Sequence, residues 1–480
     1  MSNKTGDNQT GPAVDPDDLD SLVRAGLAAL DAGQDRLAAA RLARALTLGP
    51  PSSALLRSLG MALSRLGRFD DAARCHNEAL DLAPDDPATL TALGDLLQQR
   101  DRVDDAEACY RAALQVAPER ADTLGNLGAA LYRLGRPDEA ISCYHAALRL
   151  APELPELHDN LGRALLLSGQ LAEGWEEHEW RWRTRESVRE AQRFAEPAWN
   201  GEKLGDRVLL LHAEQGFGDA IQFCRYAPLV GATARVVLEA PRELVRLFAG
   251  LPNIEHIVAQ GDALPGFDAH CPLLSLPRAC RTTLETIPRD VPYLAAAPQA
   301  VAAWRQRLDG LDGLRVGLAW AGRPTQGADR RRSIAFERLA PLGRVPGVAL
   351  VSLQTGAASA QAATPPPGMT IHDWTAALQD FADTAALIEA LDLVIAVDSA
   401  IVHLAGALGK PVWLLNRFDT CWRWLQQRTD SPWYPSLRQF RQSRSGDWEP
   451  VIAEVAVALT RRAGGDDPST NFRRKPVRQT

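Results

Sequence analysis

The sequence lacks most of what would tie it to a membrane, a secretory route or a nucleic acid. It has no run of about 18 apolar residues, the length a bilayer-spanning helix needs. The opening stretch MSNKTGDNQTGPAVDPDD is polar and lacks the apolar core of a signal peptide. Seven cysteines are scattered over 480 residues without a CxxC pair, which argues against a disulfide framework and for reduced thiols in a cytoplasmic protein. Basic residues do not prevail either. With 53 Lys and Arg against 60 Asp and Glu, the net charge is −7, which gives no support to nucleic-acid binding. What remains is ordinary soluble composition, 46% hydrophobic and 24% charged, in a chain long enough for about three domains.

The first third is periodic. Pro50, Pro84, Pro118 and Pro152 are spaced 34 apart, and so are Gly26, Gly60, Gly94, Gly128 and Gly162. Ala38, Ala72, Ala106 and Ala140 keep the same spacing, as do Cys75, Cys109 and Cys143. Within one period, Leu56, Leu59, Leu63 and Leu66 recur at helical spacing and Gly67 ends the helix. Asp70 is a candidate cap for a second helix, which Pro84 stops. Five units follow, about 19–52, 53–86, 87–120, 121–154 and 155–186. The third has Asp101 where Gly67 and Gly135 stand. A solenoid of helix pairs offers a concave face to a polypeptide. The periodic cysteines read as small apolar helix residues, and His76, His145, His158 and His178 as surface or groove residues. The Trp- and Arg-rich stretch Glu173–Trp199 reads as a packed junction.

From Arg207 the pattern changes. The runs Arg207–His212, Ala234–Glu239, His256–Ala259, Arg315–Trp320, Val348–Leu353, Leu393–Asp398 and Val412–Asn416 are β-rich and alternate with helical stretches. Continuous apolar strands of this kind predict parallel sheets covered on both faces. The pattern restarts after Pro288–Pro298, so two Rossmann-like halves facing a cleft are expected. Asp447–Leu459 reads as a terminal helix crossing back to brace the first sheet.

Three loops at strand carboxyl ends hold candidate chemistry, where open parallel sheets bind ligands. In HAEQGFGDA, Gly216 and Gly218 let backbone amides approach a ligand and Asp219 opens a helix. Ile221 stands where a dinucleotide fingerprint needs its third glycine, which argues against NAD. In WAGRPTQGADRRRSI, Arg323, Arg330, Arg331 and Arg332 can clamp a diphosphate or form a solvated charge run. In DLVIAVDSAIVHLAGALGKPVWLLN, Ser399 and the amides after Asp398 make an anion site, with His403 one turn deeper. An Asp–Ser–His relay is rejected, because residues 398–403 share one local turn.

These motifs, with CPLLSLP and WRWLQQRTDSPWYPSLRQFRQ, resemble GT-B glycosyltransferases related to bacterial heptosyltransferases, here joined to tetratricopeptide repeats. The chain departs from the family pattern at Arg323–Pro324 and in the loop Asn416–Cys421. The resemblance implies an α-solenoid followed by an α/β GT-B fold. The expected divisions are a disordered leader 1–16, a solenoid 17–190, an acceptor-side half 191–300, a donor-side half 301–463 and a disordered tail 464–480. It implies inverting transfer from a nucleotide sugar, with Asp219 as the catalytic base. Donor binding falls to Gly216, Gly218, Trp320, Arg323, Arg330, Arg331, Arg332, Gln354, Asp398, Ser399 and His403. The acceptor would be a protein presented by the repeats, such as flagellin or another surface component. No metal is expected, since no Asp-x-Asp pair occurs from 205 to 462 and arginines can meet the diphosphate. No nucleic acid or membrane span enters this reading. The alternatives are a non-catalytic repeat scaffold with a retired transferase region and a sugar-nucleotide epimerase.

Overall fold

A computed structural model of the chain describes residues 18–184, 192–324, 327 and 329–465. The expected disordered leader, and the expected tail beyond residue 465, lie outside these. The chain forms two compact units, Met1–Leu161 and Gly162–Thr480. The division falls within the helix Pro155–Ser168.

The first unit is an α-solenoid. Its helix pairs are Leu19–Asp31 with Asp35–Ala45, Ser53–Arg65 with Phe69–Leu82, Pro87–Gln99 with Val103–Val116, and Ala121–Arg133 with Pro137–Leu150. The first helices of three pairs are capped by side chains: Asp18 accepts from Ser21 N, Ser52 from Leu55 N, and Asp86 from Ala88 N and Thr89 N. The second helices use another device. Arg68 and Arg102 occupy the cap position and pair with Asp71 and Asp105 in the first turn. Asp70 is therefore not the cap; it lies in the first turn, where its charge suits the helix dipole.

Tight pairing explains the glycine column. A Cβ on Gly94 would lie 2.5 Å from the ring of Tyr110, and one on Gly128 would lie 2.7 Å from Tyr144. The same offset sets Gly60 against His76 and Gly26 against Leu42. His76 is thus an interior residue, correcting the surface reading, and His178 in the same column is buried too. Neither ring nitrogen of His76 has a hydrogen-bond partner, and burial, with Arg57 nearby, pushes its pKa down to about 4. Asp101 takes the left-handed conformation of Gly67 and Gly135, with φ of 63°. Aspartate tolerates that region better than most residues. The turn survives the substitution, and Arg102 N donates to Leu97 O as Arg68 N does to Leu63 O.

The second unit begins within helix Pro155–Ser168 and continues as α/β. Helix Leu171–His178 runs into the 3-10 turn Glu179–Arg183. The residues from 185 to 191 of the predicted junction lie outside the described set. A four-stranded parallel sheet follows, order β3-β2-β1-β4, from β1 (Val208–His212), β2 (Arg235–Ala240), β3 (His256–Ala259) and β4 (Ala269–Pro272). A six-stranded parallel sheet has order β10-β9-β8-β5-β6-β7. Its strands are β5 (Leu314–Ala319), β6 (Val348–Ser352), β7 (Ile371–His372), β8 (Leu393–Val397), β9 (Val412–Asn416) and β10 (Leu437–Arg441). Every residue of β8 and β9 is buried, as a strand covered on both faces requires.

The terminal helix, Glu449–Ala463, does not brace the first sheet. Val451, Ile452, Val455 and Leu459 join the core of the six-stranded sheet with Val316, Leu350 and Phe440. No helix among the described residues is long and apolar enough to cross a membrane.

Candidate functional site

Strand order in the larger sheet reverses between β5 and β8, the point where open α/β sheets leave a crevice beyond their carboxyl ends. A cavity of about 790 Å³ opens there. The segments after β5, β6, β8 and β9 line one side, and the Gln215–Asp219 loop after β1 lines the other.

On the first sheet's side, Gly216 precedes helix Phe217–Phe223, and its N–H donates to Asp219 Oδ2 at 3.0 Å. This fixes the carboxylate at the cavity wall. Gly218 is small for a reason outside its own sheet: a Cβ there would lie 2.9 Å from the ring of His403. His403 is buried between the halves, stacked on Trp424 at 5.2 Å, with Nδ1 2.9 Å from the Tyr434 hydroxyl. Burial, then Arg423 and Arg225, pushes its pKa well below the ordinary value, so the ring is neutral.

On the other side, Arg332 crosses the face of Gly322, where a Cβ would collide with its guanidinium. It donates to the Asp398 carbonyl at 3.0 Å and to Asp329 Oδ1 at 3.1 Å. Ser399 holds the N-cap position of helix Ala400–Ala407, but its side chain caps no amide; its buried Oγ has no partner. Gln354 braces the loop after β5, accepting from Trp320 N and Ala321 N at 2.9 and 2.8 Å. Arg323 lies over the Phe217 ring at 5.5 Å.

Gly216, Gly218, Asp219, Arg323, Arg332, Gln354, Asp398, Ser399 and His403 therefore meet at one cavity. Trp320, Arg330 and Arg331 do not line it. The Trp320 ring is fully buried against Phe336 at 4.2 Å, Arg330 is exposed, and Arg331 pairs with Asp419 at 2.8 Å. Successive residues on the short helix Asp329–Arg332 point different ways, so three consecutive arginines cannot share one ligand.

Two arginines in the cavity were missed by the sequence reading. Arg417 follows β9 and pairs with Asp419 at 3.5 Å, leaving its Nε without a partner. Arg423, from the 3-10 turn Trp422–Trp424, forms an ion pair with Asp219 across the cleft. Burial works against its charge, but Asp219, Cys421 and Asp398 outweigh that and hold its pKa above the usual value. The signal was in the motif WRWL, whose arginine stands between two tryptophans. Among the described residues, no cluster of three or more His, Cys, Asp or Glu side chains could hold a metal ion.

The end of the repeats supports this site directly. Trp175, on helix Leu171–His178, meets Trp422 edge to face at 5.3 Å, and the Arg423 guanidinium lies 4.1 Å over the same Trp422 ring. Arg181 is buried and pairs with Glu214 at 3.3 Å, two residues before Gly216. Burial pushes the Glu214 carboxyl up to about 7 in spite of Arg181.

Segments 51–119, 85–152 and 119–179 match a tetratricopeptide repeat family model, and residues 375–416 match glycosyltransferase family 9 (heptosyltransferase). Protein FlbA of Caulobacter vibrioides is 30% identical over 321 residues, covering 61% of this chain and 53% of that protein. The chain thus spans about half the length of this curated relative. Among solved structures, PilF of Pseudomonas aeruginosa is 21% identical, covering 34% of this chain and 74% of that one, with a TM-score of 0.32. A thermophilic TPR protein of Thermus thermophilus is 22% identical, covering 36% and 97%, with a TM-score of 0.33. Tetratricopeptide repeats, and within the α/β region a segment, residues 375–416, similar to glycosyltransferase family 9, are what this chain shares with known proteins.

Proposed function

We propose that the chain is a glycosyltransferase that moves a sugar from a nucleotide-sugar donor to a polypeptide acceptor held by the repeats. One observation carries the reading: a carboxylate from one sheet faces guanidinium groups and an unpartnered serine hydroxyl from the other across a single cavity. Its volume, about 790 Å³, lies within the range of small-molecule sites, roughly 300–1,000 Å³.

The chemistry follows from that polarity. The acceptor hydroxyl oxygen bonds to the anomeric carbon as the bond from that carbon to the diphosphate oxygen breaks. The diphosphate leaves with the electron pair, and the hydroxyl proton passes to Asp219. Attack from the face opposite the leaving group inverts the anomeric centre. Arg332, Arg417 and the amides at the start of helix Ala400–Ala407 stabilise the charge on the departing group. Arginine in this role makes a divalent metal unnecessary, so chelation should leave the rate unchanged.

A thermal-shift screen of the full chain against nucleotide sugars tests the reading. A donor at a hundred times its dissociation constant stabilises by about 2.7 kcal/mol. One nucleotide class should raise the melting temperature well above the rest. A flat response across the panel would remove the proposal.

A further inference from the structure

Arg423 is the guanidinium that forms an ion pair with Asp219 across the cleft, whereas Arg323 meets the same helix only over the Phe217 ring. Its contacts are specific: an ion pair to Asp219 Oδ1, Nε to Gln222 Oε1 at 2.9 Å, and Nη1 to Cys421 Sγ at 3.1 Å. Trp422 lies beneath it, backed by Trp175. An arginine has five N–H donors, and these contacts use three. The other Asp219 oxygen already accepts from Gly216 N. The resting carboxylate therefore meets a full positive charge where a base must accept a proton. Arg332 is tied to Asp398 and Asp329, and Arg417 to Asp419, so neither is bound to Asp219.

We propose that Arg423 is shared between the base and the donor: a diphosphate entering the cavity competes with Asp219 for its guanidinium and frees the carboxylate to take the acceptor proton. This rests on the glycosyltransferase reading and adds an order to it, donor before productive acceptor. The donor's negative charge draws the guanidinium toward the second half, and the base on the first half is released. Binding linkage is reciprocal. Whatever weakens the hold of Asp219 on Arg423 must therefore strengthen diphosphate binding.

The test is a double-mutant cycle on the full chain, with inorganic pyrophosphate as the probe and calorimetry as the readout. Asp219→Asn should tighten the dissociation constant at least fivefold, and Arg423→Gln should weaken it at least tenfold. In the Arg423→Gln background, Asp219→Asn should change it less than twofold. Glu243→Gln removes another cavity-lining carboxylate; it should have a smaller effect, equal in both backgrounds. Asp219→Ser replaces Asp219→Asn if the latter melts early. Equal tightening in both backgrounds, or none in either, would overturn the sharing while leaving a diphosphate site in place. No binding by the unmutated chain would overturn both readings.

Discussion

Glycines in the two units do the same steric job and teach different lessons. Gly94 and Gly128 admit the rings of Tyr110 and Tyr144, each from the partner helix of its own pair, always 16 positions later. Gly218 admits the ring of His403 from helix Ala400–Ala407 of the other half, and Gly406 admits Tyr434. In the solenoid, packing is a fixed offset that repeats with the sequence. Around the cleft of the α/β region, contacts such as these are single long-range events with no periodic trace.

The contrast is sharpest where the two kinds of packing meet, at helix Leu171–His178. It continues the repeat pattern, yet it packs on Trp422. Trp422→Ala removes a ring buried against Trp175, Phe223 and Arg423. Such truncations cost about 3–5 kcal/mol. Denaturation should show that loss in the transition of the second unit, with the first unit unmoved; a shared loss would join what the fold divides.

A smaller effect is expected from His76, which stands in the column where Tyr110 and Tyr144 follow. Its pKa is near 4 when folded and 6.5 when exposed, so the unfolded chain takes up the proton first. Stability is fully present above 6.5 and is lost as the pH falls toward 4. At one pKa unit per roughly 1.4 kcal/mol, the loss at pH 5 is about 2 kcal/mol. Asp95 acts with the opposite sign: burial raises its folded value to about 6, so its contribution is present below 3.8 and fades as the pH rises through 6. Comparison with His76→Tyr isolates the histidine. The variant should lose less stability between pH 7 and pH 5, and parallel curves would show that His76 does not titrate on unfolding.

The smallest effect belongs to the cleft rim, where Arg246 pairs with Asp380 and Asp383 at 3.0 and 3.2 Å. The arginine is 58% exposed, so Arg246→Ala should cost less than about 1 kcal/mol. A larger loss in thermal denaturation would mean that the rim holds the halves together.

This contrast also explains what could be read from the sequence. The solenoid was legible down to its turns, because proline, glycine and alanine columns encode local geometry. The interior place of His76 is legible from its position in the period with Leu42, Tyr110 and Tyr144, not from its spacing to other histidines. The seven β-rich runs all became strands. The strands that escaped, β4, β7 and β10, are short or carry polar residues such as His270 and Arg438. Loops at strand ends pointed to half of the cavity residues, since topology alone brings such loops together. Side-chain direction was not legible: Trp320 turned into the core, and Arg330 and Arg331 turned away from the cleft. Arg423 escaped because its meaning lies in a partner on the other sheet.

The most direct measurement sets binding beside turnover for Asp219→Asn, using whichever nucleotide sugar stabilises the chain. The account predicts that this variant still binds the donor, at least as tightly as the unmutated chain, while sugar transfer falls by roughly a hundredfold to ten-thousandfold, as loss of a general base demands. Transfer at an undiminished rate would contradict it.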